Sequence, residues 1–140
     1  MIETDLSIQR FLIDIKPMGA VRMTRNGKWM NESALRYLAY KKDIGWQIRT
    51  QMCEMDIMKS ALAIKTTFIM PIPRSWSKKK QVSAIGTYHT SKPDIDNLIK
   101  GVFDSLNGLL WADDNQVVDM KVEKIYGEKP GIKLEVKELF

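Results

Sequence analysis

The sequence predicts a mixed α/β domain of the α+β kind, a small mixed β-sheet packed with two main helices. Three observations predict it. Residues 61–70 place Leu62, Ile64, Thr66, Phe68 and Met70 on one face with period two, and Ile132, Leu134 and Val136 repeat that alternation near the end of the chain. Tyr37, Leu38, Ile44, Ile48, Met52 and Met55 recur instead at helical spacing, as do Ile95, Leu98, Ile99, Val102 and Leu106. The 140 residues contain no repeat, low-complexity tract or linker, so residues 1–140 read as one domain able to bury its own core.

In chain order, Phe11, Ile13 and Ile15 alternate and predict a strand that ends near Pro17. Arg25-Asn26-Gly27-Lys28 places Asn-Gly between short segments, the signal of a tight hairpin, which would carry Arg22, Arg25 and Lys28 on a projecting arm. Asn31 or Ser33 can cap the first helix. Pro71 and Pro73 end the 61–70 strand, because proline supplies no ladder hydrogen bond. Residues 74–92 read as a long basic loop, a length that usually serves function. Pro93 forces its predecessor to be extended, so a second helix begins after it with Asp94 as N-cap and stops at Asn107-Gly108. Val118, Met120 and Val122 then alternate in a strand, a turn follows at 127–131, and the last strand closes the order β-(hairpin arm)-α-β-loop-α-β-β.

Composition narrows the function. Lys and Arg number 22 against 17 Asp and Glu, a net charge of +5 that suggests a polyanionic partner. No apolar run reaches membrane-span length, and the first residues lack the pattern of a secretory signal, so a cytoplasmic protein with no membrane partner is expected. The single cysteine, Cys53, excludes an intrachain disulfide and is expected to be a small buried apolar residue. With one cysteine and one histidine, neither a Ser-His-Asp nor a Cys-His nucleophile can be assembled persuasively.

The charges are also segregated. Bases crowd the first third and the 74–80 segment, whereas Asp94, Asp96, Asp104, Asp113, Asp114 and Asp119 collect later. Carboxylates in a first helical turn are favoured by ~0.3–1 kcal/mol through the helix dipole, and Asp113-Asp114-Asn115 could be a plain turn. Capping needs only one carboxylate, however. Two like charges ~4 Å apart repel by ~1 kcal/mol in water and ~4 kcal/mol at an effective dielectric of ~20. If Asp94, Asp96 and Asp114 converge, a hard divalent cation offsets that repulsion most directly. Lys100 stands one helical turn beyond Asp96, where an ammonium could contact a phosphoryl group.

Three segments carry a resemblance: Lys92-Pro93-Asp94-Ile95-Asp96-Asn97-Leu98-Ile99-Lys100, Phe103-Asp104-Ser105-Leu106-Asn107-Gly108 and Trp111-Ala112-Asp113-Asp114-Asn115-Gln116-Val117-Val118. Together they closely resemble the RusA family of Holliday junction resolvases. Upstream, Lys16-Pro17 to Arg22, the Asn26-Gly27 turn and His89 look like the branch found in Gram-positive bacteria and their phages. The resemblance implies a homodimeric endodeoxyribonuclease that resolves four-way DNA junctions in recombination and repair, using Mg2+ with Mn2+ able to substitute. It makes Asp94, Asp96 and Asp114 the metal-binding and catalytic carboxylates, with Asp113 sharing or replacing the role of Asp114, and Lys100 the catalytic cation. One complete site per subunit is expected. The competing reading is a branched-DNA-binding protein whose aspartates hold a structural ion.

DNA contacts are expected from Arg22, Arg25, Lys28, Arg74, Lys78, Lys79, Lys80 and Lys92. Trp76, an aromatic within a basic loop, could stack on unpaired bases at a branch point. His89 reads as a phosphate contact or site support before a base.

Overall fold

The computed structural model describes residues 7–22 and 31–140. The hairpin arm expected at Arg25-Asn26-Gly27-Lys28 lies outside the described residues. The elements run β1 (Ile8–Ile13), α1 (Glu32–Met52), β2 (Ala61–Pro71), α2 (Lys78–Ala84), α3 (Ile95–Leu106), a 3-10 turn at Asp114–Gln116, β3 (Val117–Gly127) and β4 (Gly131–Leu139). They form a four-stranded mixed sheet of order β1-β4-β2-β3, in which only β2 and β3 are parallel. The mixed α/β expectation holds.

β3 and β4 are joined by three residues yet do not pair; they flank β2 on either side. The connection passes over the end of β2, where Pro71 lies beside Gly127 and Ile69 beside Gly131. A Cβ on Gly127 would overlap the Ile69 Cγ2 methyl. Glycine is therefore required there by space.

One sheet face carries Phe11, Ile13, Leu62, Ile64, Phe68, Met70, Ile132, Leu134 and Val136, all buried under the helices. α1 contributes Tyr37, Tyr40, Ile44, Ile48 and Met52, and is capped by Asn31, whose Oδ1 accepts from Ala34 N–H at 2.8 Å. α3 contributes Leu98, Ile99, Val102 and Leu106, and packs against α1 and β3. Its end is fixed by Gly108 at φ 80°.

Four local expectations change. β1 starts earlier than its alternation suggested, because Ile8 already pairs with Lys137. In β3 a bulge sets Leu62 opposite Val117 and Ala63 opposite Asp119. Val118 is thus the extra residue and stands 64% exposed, outside the row in which Met120 and Val122 lie beside Ile64 and Thr66. The basic loop contains a helix, α2, with Ser77 as its cap. Cys53 is exposed: it ends α1 in a left-handed conformation, φ 55°, which turns its side chain away from the core stripe.

Gly127→Ala is expected to destabilise the fold by roughly 1–3 kcal/mol, the usual scale of overpacking. Adding Ile69→Ala should recover most of that loss in thermal denaturation, since it removes the overlapped methyl.

Candidate metal and nucleic-acid site

Asp94 occupies the N-cap position of α3 with extended backbone, and its carbonyl accepts from Leu98 N–H at 3.0 Å. Its side chain makes no capping bond. The structural explanation of a carboxylate at this position, that it satisfies the helix N–H groups, therefore does not apply. Asp96, in the first turn, has neither a hydrogen bond nor an ion pair among the described residues, and both carboxylates border a cleft of about 580 Å³ lined also by Tyr88, His89, Thr90 and Lys124.

Lys124 explains how the loop ahead of α3 is held. In β3 it lies beside Phe68, on the helix-covered face of the sheet. Its Nζ donates to the carbonyls of Ser91 at 2.7 Å and Pro93 at 2.9 Å, directly before Asp94. Residues 86–89 run along the outer edge of β3, with Gly86 N–H bonded to Tyr126 O, Tyr126 N–H to Thr87 O and His89 N–H to Lys124 O. This edge pairing brings the basic segment and the aspartate pair to one side of the molecule. From the other side, Ala20 N–H bonds Asn97 O at 3.1 Å and places Arg22 near the same helix end.

His89 is only 9% exposed and its ring meets Tyr126 at 4.8 Å. Its Nδ1 is buried without a hydrogen-bond partner. Burial, and then the positive charge of Lys124, lower its pKa, so the neutral imidazole is favoured. Of the two roles expected, a buried neutral imidazole suits site support more than an exposed phosphate contact. Trp76 does not stand free in its loop: Lys80 Nζ lies 4.0 Å above its ring and Tyr126 packs at 5.4 Å. Lys78, Lys79 and Lys80 form the first turn of α2, where their charges add to the positive end of the helix dipole. Arg74, Lys78, Lys79, Lys80 and Lys92 are all exposed; Arg25 and Lys28 are outside the described residues.

The far end of α3 holds the second acidic group. Trp111 is fully buried and its Nε1 donates to Asn107 Oδ1 at 2.7 Å, while Asn107 Nδ2 donates to Asp114 Oδ2 at 3.1 Å. Gln116 ties the turn to the carbonyls of Met58 and Ser60 at 3.0 and 2.9 Å, and accepts from Asp113 N–H at 2.9 Å. Asp113 is exposed and Asp114 half-buried, so only Asp114 belongs to the Trp111–Asn107 chain. Between the two ends, Lys100 is exposed and unpaired among the described residues, and Asp104 accepts from Tyr37 Oη at 2.7 Å. Burial and that carboxylate push the Tyr37 pKa upward. Asp104 thus links α3 to α1.

Asp94 and Asp96 are brought together; Asp114 is not brought to them. The twelve residues of α3 span roughly 18 Å at 1.5 Å per residue. Among the described residues, no group of three His, Cys, Asp or Glu side chains is close enough to hold one ion. The expectation of a complete three-aspartate site within a single chain is corrected accordingly. The pair alone suits magnesium, which keeps several waters and uses one or two carboxylates plus substrate phosphate. Lys124 and Asn107 escaped sequence reading as site residues. A strand lysine carries no signal of its carbonyl partners, and Asn107 had a sufficient role as a helix stop.

Comparison with known proteins gives a consistent family. The family model described as "Endodeoxyribonuclease RusA" matches residues 14–137. An uncharacterized protein of Bacillus subtilis (strain 168), YqaN, is 34% identical over 128 residues, covering 89% of this chain and 87% of that protein. A protein of Lactococcus phage r1t named crossover junction endodeoxyribonuclease rusA is 36% identical over 61 residues, 43% of this chain and 47% of its own. No helix among the described residues is long and apolar enough to cross a membrane.

Lys124→Met should keep the aliphatic stem but free the Ser91 and Pro93 carbonyls. It is expected to cost roughly 1–3 kcal/mol, the scale of hydrogen bonds to a charged group, and to speed amide exchange over residues 90–96. His89 gives a pH test. Its folded pKa lies below the unfolded value of about 6.5, so the unfolded chain takes up the proton first and stability declines as pH falls through that value. In metal-free buffer the melting temperature should therefore drop less between pH 7 and pH 5 in His89→Gln than in the wild type.

Proposed function

Because the chain belongs to the RusA family of endodeoxyribonucleases, we propose that it cuts branched DNA, four-way junctions above all, by metal-dependent hydrolysis of the phosphodiester backbone. The observation that carries this reading is the aspartate pair. Asp94 sits where a carboxylate normally caps a helix, yet caps nothing, and shares its cleft with Asp96.

Asp94 and Asp96 would hold a Mg2+ ion, with Mn2+ as a substitute, since hard cations select carboxylate oxygen and water. Bound there, the ion supplies charge neutralisation at the scissile phosphate and an activated water. The chain's own residues do the rest. Lys100, one turn along the same helix, offers an exposed ammonium to a phosphate oxygen. Lys124 fixes the backbone before Asp94, so the pair is presented without rearrangement. Arg22 on one flank, and Arg74, Lys92 and the first turn of α2 on the other, supply exposed cations for DNA backbone phosphates, a contact that releases counterions and is sequence-independent. Resolution requires incisions on two opposed strands, so the active species is proposed to be a two-fold dimer.

The test uses a labelled four-way junction and a linear duplex of the same sequence, each with Mg2+ or EDTA. Cleavage of the junction alone, dependent on metal, is expected. Asp94→Asn and Asp96→Asn should reduce it by roughly 100-fold or more, the scale of removing a charge-stabilising group, while junction binding persists. Lys100→Ala should lose activity with metal affinity unchanged. Metal-independent binding with no incision by the wild type would leave a non-enzymatic junction-binding protein instead.

A further inference from the structure

We propose that Tyr88 recognises branching, its ring stacking on an unpaired DNA base beside the aspartate pair. This role rests on the junction-cutting function proposed above and concerns how that site tells a branch point from a continuous duplex.

The local backbone sets the tyrosine out. Thr87 O accepts from Tyr126 N–H at 2.9 Å and His89 N–H donates to Lys124 O at 3.1 Å. The chain on both sides of Tyr88 is therefore fastened to the edge of β3, with Tyr88 itself opposite Ile125. Successive residues of an extended segment point to opposite sides. The pairing that buries His89 against Tyr126 thus turns Tyr88 outward, where it stands 73% exposed. Among the described residues its ring packs on no other aromatic group. Trp76, the aromatic whose basic surroundings favoured it for stacking, is instead engaged by Lys80 and Tyr126.

A lone exposed aromatic is ordinary on a protein surface. Tyr88 differs because it borders the cleft of about 580 Å³ that contains Asp94 and Asp96, and Ile95 borders it too. Ile95 shares the spacing of the buried α3 stripe, yet it is 40% exposed. The cleft therefore joins two carboxylates, suited to a hydrated cation and a phosphate, to an aromatic and aliphatic wall. A nucleotide offers the matching pair of groups, a charged phosphate and a flat base. Inside a continuous duplex each base is covered on both faces by its neighbours. At a branch point that stacking is interrupted, and a ring can cover the freed face. The anchored backbone and the two side-chain torsions of tyrosine keep the ordering cost of such a contact low.

Binding in EDTA tests the contact without cleavage. Affinities for a four-way junction and a linear duplex are measured by fluorescence anisotropy for the wild type, Tyr88→Phe, Tyr88→Leu and Tyr88→Ala. Thermal melts and sedimentation check the fold and assembly of each. Tyr88→Ala and Tyr88→Leu should lower the preference for the junction by roughly 5- to 100-fold, the scale of one base–aromatic stack. Tyr88→Phe should keep most of it. Junctions with an abasic nucleotide at each position flanking the crossover then locate the base. One such lesion should weaken wild-type binding by a similar factor and add little to the loss in Tyr88→Ala.

An undiminished junction preference in folded Tyr88→Ala or Tyr88→Leu overturns the proposal. So do equal losses for junction and duplex, a phenylalanine variant as poor as alanine, or abasic losses that add in full to those of Tyr88→Ala. Loss of a dimer in Tyr88→Ala would make the ring a subunit contact and overturn it as well. A wild type that binds the junction no tighter than the duplex would instead overturn the junction-cutting function itself.

Discussion

Leu98, Val102 and Leu106 form one fully buried stripe of α3, and the placement of polar groups at both helix ends depends on that burial. At ~1.5–3 kcal/mol for each fully buried aliphatic side chain, the stripe holds the helix firmly against its neighbours. A helix fixed along its length behaves as a rod. Whatever is anchored at its first turn and its last turn is kept a helix length apart. The loop held by Lys124 and the turn held by Asn107 are the two attachments, and neither would be positioned without the packed stripe between them.

The sheet order makes these attachments possible. Because β3 lies beside β2 and parallel to it, its helix-covered face continues the row that contains Phe68 and Met70, and that row places Lys124 under the loop before α3. The same edge position leaves β3 open to residues 86–89, which dock there and bring His89 into the cleft of the aspartate pair. Basic and acidic residues that are far apart along the chain thus share one side of the molecule. Only two ion pairs join described residues, Arg10–Glu135 and Lys129–Asp14, and neither involves the site. Among the described residues none of the site cations is held in an ion pair with a carboxylate.

Buried polar groups account for the motif's less obvious members. Trp111 reads as part of a sequence signature, but in the fold it is a core residue whose one polar atom needs an acceptor. Asn107 supplies that acceptor and passes its own amide to Asp114. The tryptophan therefore acts on the carboxylate through one intermediate, without itself facing solvent. Asp104 has the opposite fate: its helical spacing matches Asp96 and Lys100, yet it is engaged by Tyr37 and serves the α1–α3 contact.

Periodicity in the sequence determined the element types, the helix faces and the core. Leu62 to Met70, Ile132 to Val136 and the α3 stripe lie where their spacing placed them, because side-chain direction follows backbone period before any tertiary contact exists. The order of residues also identified Asp94 and Asp96 as a pair, since two residues in one helical turn are necessarily neighbours. The sequence did not determine the distance to Asp114. That depends on where a turn docks after a helix of fixed length, and on which carbonyls Gln116 and which amide Asn107 select. The bulge at Val118, the left-handed Cys53 and the carbonyl partners of Lys124 were equally undetermined. Each is set by pairing between distant segments, which local propensity does not encode.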